Sequence, residues 1–268
     1  MSRAVAMVGM LLGSSAAVVA AHLSSEATAA WNVYARATEA RIAGELRSSS
    51  GFLALDFQSD AVATSRALLA GDVIVRAMEA SRNNGRPIEV PAARVEHWLG
   101  AVLIPGITAA RLVDALEEGP PPSDDVLKSA VLERGPDWML VSMRLQRKAI
   151  VTVVYDTEHV VTFTRRAPSR ATSTSTAVRI VEIVDANTPQ EHQVRTDNDR
   201  GFLWRLNAYW RYQDVAGGVV AECESLTLSR DVPSVVRFLV NPVIERTARE
   251  SMTRTLTALR TRFGTGNR

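Results

Sequence analysis

Apolar residues near the start of the chain recur at helical spacing. Trp31, Tyr34, Thr38, Ile42 and Leu46 stand three or four residues apart, which predicts an amphipathic helix whose mainly apolar face has Thr38 as its polar member. Such a face needs a partner surface. A Ser/Gly stretch at 48–51 ends the pattern, and an apolar run at 52–57, a helix at 61–70 and a strand at 73–78 are predicted to follow.

From Ile88 onward the pattern changes to β-branched residues mixed with polar ones, which is typical of strands. One helix, with Thr108 as its N-cap, interrupts the series. Strands are predicted at 95–104, 126–132, 138–145, 150–164 and 178–184, while the Ser/Thr-rich segment SRATSTSTA is left open as strand or loop.

A long helix is predicted from Ser234 to the end, with a kink or break at Pro242. Its apolar residues lie three or four positions apart, namely Ile244, Ala248, Met252, Leu256, Leu259 and Phe263. The opposite face carries Arg249, Arg254 and Arg260. A solvated basic face on a helix packed against the sheet is favoured over binding to a membrane surface.

The segment GFLWRLNAYWRYQDVAGGVVAECESLTLSRDVP at 201–233 predicts a hairpin that turns at 214–218. Its charges fix the register, because pairing Arg211 with Glu222 also pairs Tyr209 with Glu224. A shift by one residue would leave Arg211 opposite Ala221.

In this register large side chains on one face stand opposite small ones, which suits a concave surface covered by the C-terminal helix. We therefore predict that Trp204, Leu206 and Trp210 point inward toward that helix and that Arg211 meets Glu222 on the outer face. There the Arg/Glu pair is expected to stabilise a surface only, so Arg211→Ala should cost under about 1 kcal/mol. The pattern leaves open whether the interior is a pocket or a filled core.

Composition excludes some classes of function. The chain has 268 residues and a net charge of only +2, which does not predict a nucleic-acid-binding face. Residues 1–21 have the layout of a signal peptide, with cleavage as late as 29, so export to the periplasm or medium is expected. The single cysteine, Cys223, is interpreted as a buried small residue.

No enzyme motif stands out. The four histidines lack the spacing of metal ligands, and the chain has neither a glycine-rich phosphate loop nor a G-x-S-x-G motif. Neither a metal nor a cofactor is expected.

The segments WLGAVLIPG (98–106), GFLWRLNAYWRY (201–212) and GGVVAECESLTLSRDVP (217–233) resemble a group of exported bacterial proteins of the START-like superfamily, also called helix-grip or polyketide cyclase/lipid-transport proteins. The resemblance covers about 88–263. It implies an α+β helix-grip fold, with a curved antiparallel sheet wrapped around the long C-terminal helix, and an apolar cavity between sheet and helix that holds a lipid or similar ligand, usually without a cofactor.

The resulting hypotheses divide the chain into a signal peptide at 1–21, a mostly helical N-terminal extension at 22–86 and a helix-grip domain at 87–265. The favoured function is binding or transport of a hydrophobic small molecule or lipid, with transient membrane contact possible. A cyclase- or dehydratase-like enzyme and a filled interaction module are the alternatives. The resemblance implies that such an enzyme polarises a bound carbonyl group with pocket tyrosines, arginines or acids, and Arg205, Tyr209 or Arg211 could do so only if the assignment of the two faces were inverted. The predicted pocket residues are Trp98, Trp204, Leu206, Trp210, Tyr212, Ile244, Ala248 and Met252.

Overall fold

The computed structural model describes residues 22–81, 85–121, 123–148, 152–194, 199–232 and 234–264. The predicted signal peptide at 1–21 lies outside the described residues. The helices are α1 (Ser25–Arg47), α2 (Ala61–Leu69), α3 (Ala109–Glu117) and α4 (Ser234–Phe263), and a 3-10 helix (Ala54–Phe57) lies between α1 and α2.

Nine strands are found in the described residues: β1 (Ile74–Ala77), β2 (Ala93–Pro105), β3 (Val126–Arg134), β4 (Trp138–Lys148), β5 (Thr152–Ala167), β6 (Arg170–Val184), β7 (His192–Gln193), β8 (Arg205–Val215) and β9 (Gly218–Arg230). They form one sheet in the order β1-β2-β9-β8-β6-β5-β4-β3, with β7 paired to β6, and all the pairings are antiparallel.

Helix α4 packs across the concave face of this sheet. Met252, Leu256 and Leu259 are buried in the main core, together with residues of β2, β4, β5, β8 and β9. Gly100 of β2 lets the helix approach closely, since a Cβ atom there would lie 2.6 Å from Met252 Cγ and 2.7 Å from Leu256 Cδ1. The predicted α+β helix-grip fold is thereby confirmed.

The register predicted for the hairpin is also confirmed. Arg211 pairs with Glu222 and Tyr209 with Glu224, and the turn between the strands has Gly217 at φ +86°. Trp210 and Tyr212 lie two residues apart on one strand face, with ring centroids 6.1 Å apart and planes 6° from parallel. The alternation along β8 therefore decides which side chains face α4.

Helix α1 lies on the opposite, outer side of the hairpin. Its Trp31 and Tyr34 are buried in one cluster with Tyr209, Leu226 and Leu228. This surface is the partner that the apolar periodicity of α1 requires.

The structure bears on two predictions in which the sequence left alternatives open, a kink or a break at Pro242 and a strand or a loop at the Ser/Thr-rich segment. Helix α4 runs through Pro242 without ending there, because the contacts between the following turns and β2 outweigh the loss of about 3 kcal/mol that an interior proline causes. Strand β6 begins at Arg170, so the Ser/Thr-rich segment belongs to a strand that is paired with β5 on one side and β8 on the other.

Candidate ligand cavity

A cavity of about 610 Å³ separates α4 from the inner faces of the central strands. Binding pockets for small molecules commonly measure ~300–1,000 Å³, so this space is large enough for a ligand. The sequence left open whether the interior is a pocket or a filled core, and the volume of this space favours a pocket.

Most of the lining is apolar, and the inner strand faces and one side of α4 contribute to it. The apolar and aromatic members include Trp98, Leu116, Met139, Met143, Leu145, Val153, Val161, Phe163, Leu203, Leu206, Ala208, Trp210, Ile244, Ala248, Met252 and Leu259. Cys223 also lies on this wall and is buried, as predicted. Burial raises the pKa of its thiol, so the thiol stays protonated near neutral pH.

The structure brings seven of the eight predicted pocket residues to this cavity: Trp98, Leu206, Trp210, Tyr212, Ile244, Ala248 and Met252. Their role in ligand binding stays a prediction.

Trp204 is the exception, and its predicted inward orientation is wrong. It packs in the outer cluster with Trp31 and Leu228, and its indole donates to Asp199 Oδ1 at 3.2 Å. The alternation along β8 does not extend back to Trp204, because the strand begins at Arg205 and the preceding residues form bends.

Polar side chains form a short row inside the cavity. His159 on β5 contacts Ser175 Oγ on β6 through Nδ1 at 3.2 Å and Thr157 Oγ1 through Nε2 at 3.1 Å. Beside them, the hydroxyl groups of Ser173 and Tyr212 lie 3.1 Å apart. Burial lowers the pKa of His159 to about 4, so the imidazole is neutral at physiological pH.

Sequence reasoning missed this row except for Tyr212. One signal was present, because Ser173 and Ser175 alternate with Thr172, Thr174 and Thr176. If the segment is a strand, its serines share one face and its threonines share the other.

Charged residues bond α4 to both edges of the sheet, near β3 and at β1. Asp125, just before β3, accepts a hydrogen bond from Ser251 Oγ at 2.6 Å and two from Arg254 Nη2 at 2.9 and 3.0 Å. On the other side, Arg249 donates to the Val75 carbonyl oxygen at 2.7 Å, and its guanidinium lies 5.3 Å from the ring centroid of Trp98.

The arginine face of α4 is exposed at Arg249 and half-buried at Arg254 and Arg260, and it also bonds to the rest of the protein. Arg260 makes a similar contact and donates to the Gly71 carbonyl oxygen at 2.7 Å. All three arginines of this face bond to groups outside α4, so they help hold the helix over the cavity.

The outer face of the hairpin is buried, and this corrects a second expectation. Arg211 Nη1 donates to the Phe52 carbonyl oxygen at 2.8 Å and Nη2 to Glu45 Oε2, while Nε lies 3.7 Å from Glu222. Glu222 accepts from the backbone N–H groups of Ala54 and Leu55 at 2.7 and 3.0 Å. Helix α1 and the 3-10 helix cover this face, which the hairpin sequence alone could not indicate.

Complete burial raises the pKa of Glu222 to about 7, although the charge of Arg211 and the two backbone hydrogen bonds act in the opposite direction. Glu224 differs, because its partners outweigh its burial: a hydrogen bond with His97 and the charge of Arg41 hold the pKa of Glu224 below its usual value. His97 Nε2 lies 2.5 Å from Glu224 Oε1, and Tyr34 Oη lies 3.0 Å from His97 Nδ1.

The residues considered for catalysis, Arg205, Tyr209 and Arg211, are absent from the described lining of the cavity. The assignment of the two faces is not inverted, so these residues lend no support to an enzyme. In the described ranges no group of three or more His, Cys, Asp or Glu residues could hold a metal ion. Within the same part of the chain, no helix is both long and apolar enough to cross a membrane.

No family model matches the chain, and no curated protein matches it. Solved structures similar to it include a STAR-related lipid transfer protein fragment from Xanthomonas axonopodis, with 17% identity, 70% of this chain and 98% of that chain covered and a TM-score of 0.45. Human StAR-related lipid transfer protein 5 has 12% identity, coverage of 88% and 97% and a TM-score of 0.43. The Zhui aromatase/cyclase from Streptomyces sp. R1128 has 11% identity, coverage of 65% and 98% and a TM-score of 0.38.

Proposed function

We propose that this protein binds an apolar, lipid-like small molecule in the cavity beneath α4. The observation that carries the proposal is the cavity itself, with about 610 Å³ of space and a mainly apolar and aromatic lining. Burying apolar ligand surface against such a lining supplies a free energy of about 25 cal/mol per Å². The neutral His159 is compatible with an apolar occupant, because it places no charge in the wall.

The hydrogen bonds around α4 support a binding role in a second way. The three carboxylates of the described lining already have partners: Glu96 accepts from Trp98 Nε1 at 2.9 Å and from Arg94, Asp125 accepts from Arg254, and Asp231 accepts from the backbone N–H of Val232 at 2.8 Å. An apolar ligand would therefore leave none of these carboxylates unpaired.

Nile red, an uncharged apolar fluorophore, tests the proposal directly. Ala208 lines the cavity at the centre of β8, so Ala208→Trp fills part of the space. Val178 on β6 is 58% exposed, so Val178→Trp adds the same side chain at the surface as a control. We expect saturable Nile red binding, with one site per chain, for the wild type and the control, and binding at least tenfold weaker for Ala208→Trp.

Native mass spectrometry of the full chain, purified without detergent, provides a second measurement. A co-purifying neutral molecule that is lost from Ala208→Trp and retained by Val178→Trp would support the proposal. Equal Nile red affinity for the wild type and a folded Ala208→Trp variant would contradict it.

A further inference from the structure

The row of polar groups in the cavity has a defined direction of hydrogen bonding. Thr157 Oγ1 lies 3.1 Å from the carbonyl oxygen of Met143 and 3.1 Å from His159 Nε2. A hydroxyl has one proton, and a carbonyl oxygen can only accept, so the threonine proton goes to Met143. Toward His159, Thr157 can then only accept.

This assignment fixes the tautomer of His159. Because Thr157 accepts, Nε2 carries the proton of the neutral ring, and Nδ1 is left as an acceptor. Ser175 Oγ lies 3.2 Å from Nδ1 and must donate its single proton to it. The oxygen of Ser175 therefore keeps its lone pairs and has no proton to offer a ligand.

Ser175 is accessible from the cavity. It is half-buried, it is part of the cavity lining and it stands opposite Ala208, whose small side chain leaves room above it. Buried polar groups favour ligands that complete their hydrogen bonds. A ligand that completes the hydrogen bonding of Ser175 must supply a donor.

We propose that Ser175 determines the specificity of the cavity and that the ligand is an apolar alcohol, whose hydroxyl group donates a hydrogen bond to Ser175 Oγ. This inference rests on the proposed function and deepens it. An ionised headgroup at this position would meet a neutral imidazole and hydroxyl groups, which do not offset the free energy of burying a charge.

Three probes of matched size separate the possibilities: cyclododecanol, cyclododecanone and methoxycyclododecane. The alcohol can donate, whereas the ketone and the ether can only accept. Isothermal titration calorimetry with the wild-type full chain should show that the alcohol binds about three- to tenfold more tightly than the other two, as expected for one additional hydrogen bond.

Ser175→Ala should remove this advantage by weakening the alcohol about three- to tenfold while leaving the ketone and the ether unchanged. Of the two hydroxyl protons of Ser173 and Tyr212, one is used between them and the other can be donated to a ketone. This pair lies about 7 Å from Ser175 along the strand, so it does not replace the hydrogen bond that the alcohol loses in Ser175→Ala. Thr174→Ala is the matched control. Thr174 is exposed on the other face of β6, where it contacts Thr162 at 2.6 Å, and its removal should affect none of the probes.

His159→Phe gives a result that a structural role alone would not produce. Without Nδ1 as acceptor, the Ser175 proton becomes available, and we expect ketone affinity to rise about three- to tenfold relative to alcohol affinity. Equal wild-type affinities for alcohol and ketone, or equal weakening of all probes by Ser175→Ala, would overturn the inference and leave the proposed function intact. If none of the probes binds the wild type while Nile red does, the inference fails and the proposed function stands; if Nile red does not bind either, both fail.

Discussion

The buried arginine of the outer face offers the sharpest test of how the chain is held together. The Arg211 side chain is 4% exposed and contacts the Phe52 carbonyl, Glu45 and Glu222. Arg211→Ala leaves the buried Glu222 without its cation and the Phe52 carbonyl oxygen without this donor, while Glu45 keeps only its ion pair with Arg41. Removing one partner of a buried ion pair typically costs about 3–5 kcal/mol, and we expect a loss of unfolding free energy in that range.

The loss should depend on pH in a defined direction. Glu222 has a raised pKa of about 7 in the folded wild type, and without Arg211 that pKa rises further. A raised carboxyl pKa means that the folded state binds a proton that the unfolded state has released, so stability falls as pH rises through the folded pKa. The difference in stability between variant and wild type should therefore widen above pH 7.

Urea unfolding followed by circular dichroism at pH 5.5 and 8.5 measures both effects, provided that the slope with denaturant is unchanged. Arg165→Ala is the matched control, because Arg165 pairs with Asp114 and Glu117 while its side chain is 49% exposed. That surface network should contribute less than about 1 kcal/mol. An Arg211→Ala loss as small as that of Arg165→Ala, with no dependence on pH, would refute the buried network described for the outer face.

Three further predictions concern α4 and the cavity. Gly100→Val should destabilise the fold by about 1–3 kcal/mol in urea unfolding, because a Cβ atom there would lie 2.6 Å from Met252 Cγ. Gly44→Ala is the control, and it should stabilise α1 by about 0.5–1 kcal/mol because a Cβ atom at Gly44 meets no atom within 4 Å. An unchanged free energy of unfolding for Gly100→Val would contradict the close approach of α4. The lowered pKa of His159, about 4 in the folded state, should remove up to roughly 3 kcal/mol of stability as pH falls from about 6.5 to 4, and this component should be missing from His159→Phe. Asp125→Ala removes the hydrogen bonds to Ser251 and Arg254 that hold α4 over the cavity, so Nile red should dissociate at least threefold faster in stopped-flow displacement. An unchanged dissociation rate would argue that movement of α4 does not control ligand release.

Local patterns predicted the inner side of the protein well. The hairpin register follows from the charge pair of Arg211 and Glu222, and the inward face of α4 follows from its repeat of Ile244, Ala248 and Met252. These features depend on neighbours in sequence or on strands joined by a short turn, so short-range reasoning is sufficient to find them.

The outer side could not be predicted in the same way. Whether Arg211 and Glu222 face solvent or protein depends on Glu45 and Phe52, which are more than 150 residues away in the chain. The prediction for Trp204 was wrong for a different reason, because side chains alternate between the two faces only within a strand and β8 begins at Arg205. His159 lay on a predicted strand, but its partner Ser175 came from a segment that composition alone left between strand and loop.

The polar residues of α1 pair with buried charges of the hairpin, which an entirely apolar helix in the same place could not do. The outer face of β8 and β9 buries Arg211, Glu222 and Glu224, and buried charges are stable only when they are paired. Helix α1 supplies the partners, because Arg41 bonds to Glu224 and Glu45 bonds to Arg211, and Trp31 adds apolar burial at one end. An apolar helix in this place would leave Arg211 without Glu45 and Glu224 without Arg41. The sequence of α1 is therefore matched to the hairpin by charge as well as by hydrophobicity, and the strands that line the cavity on one face are held in place from the other.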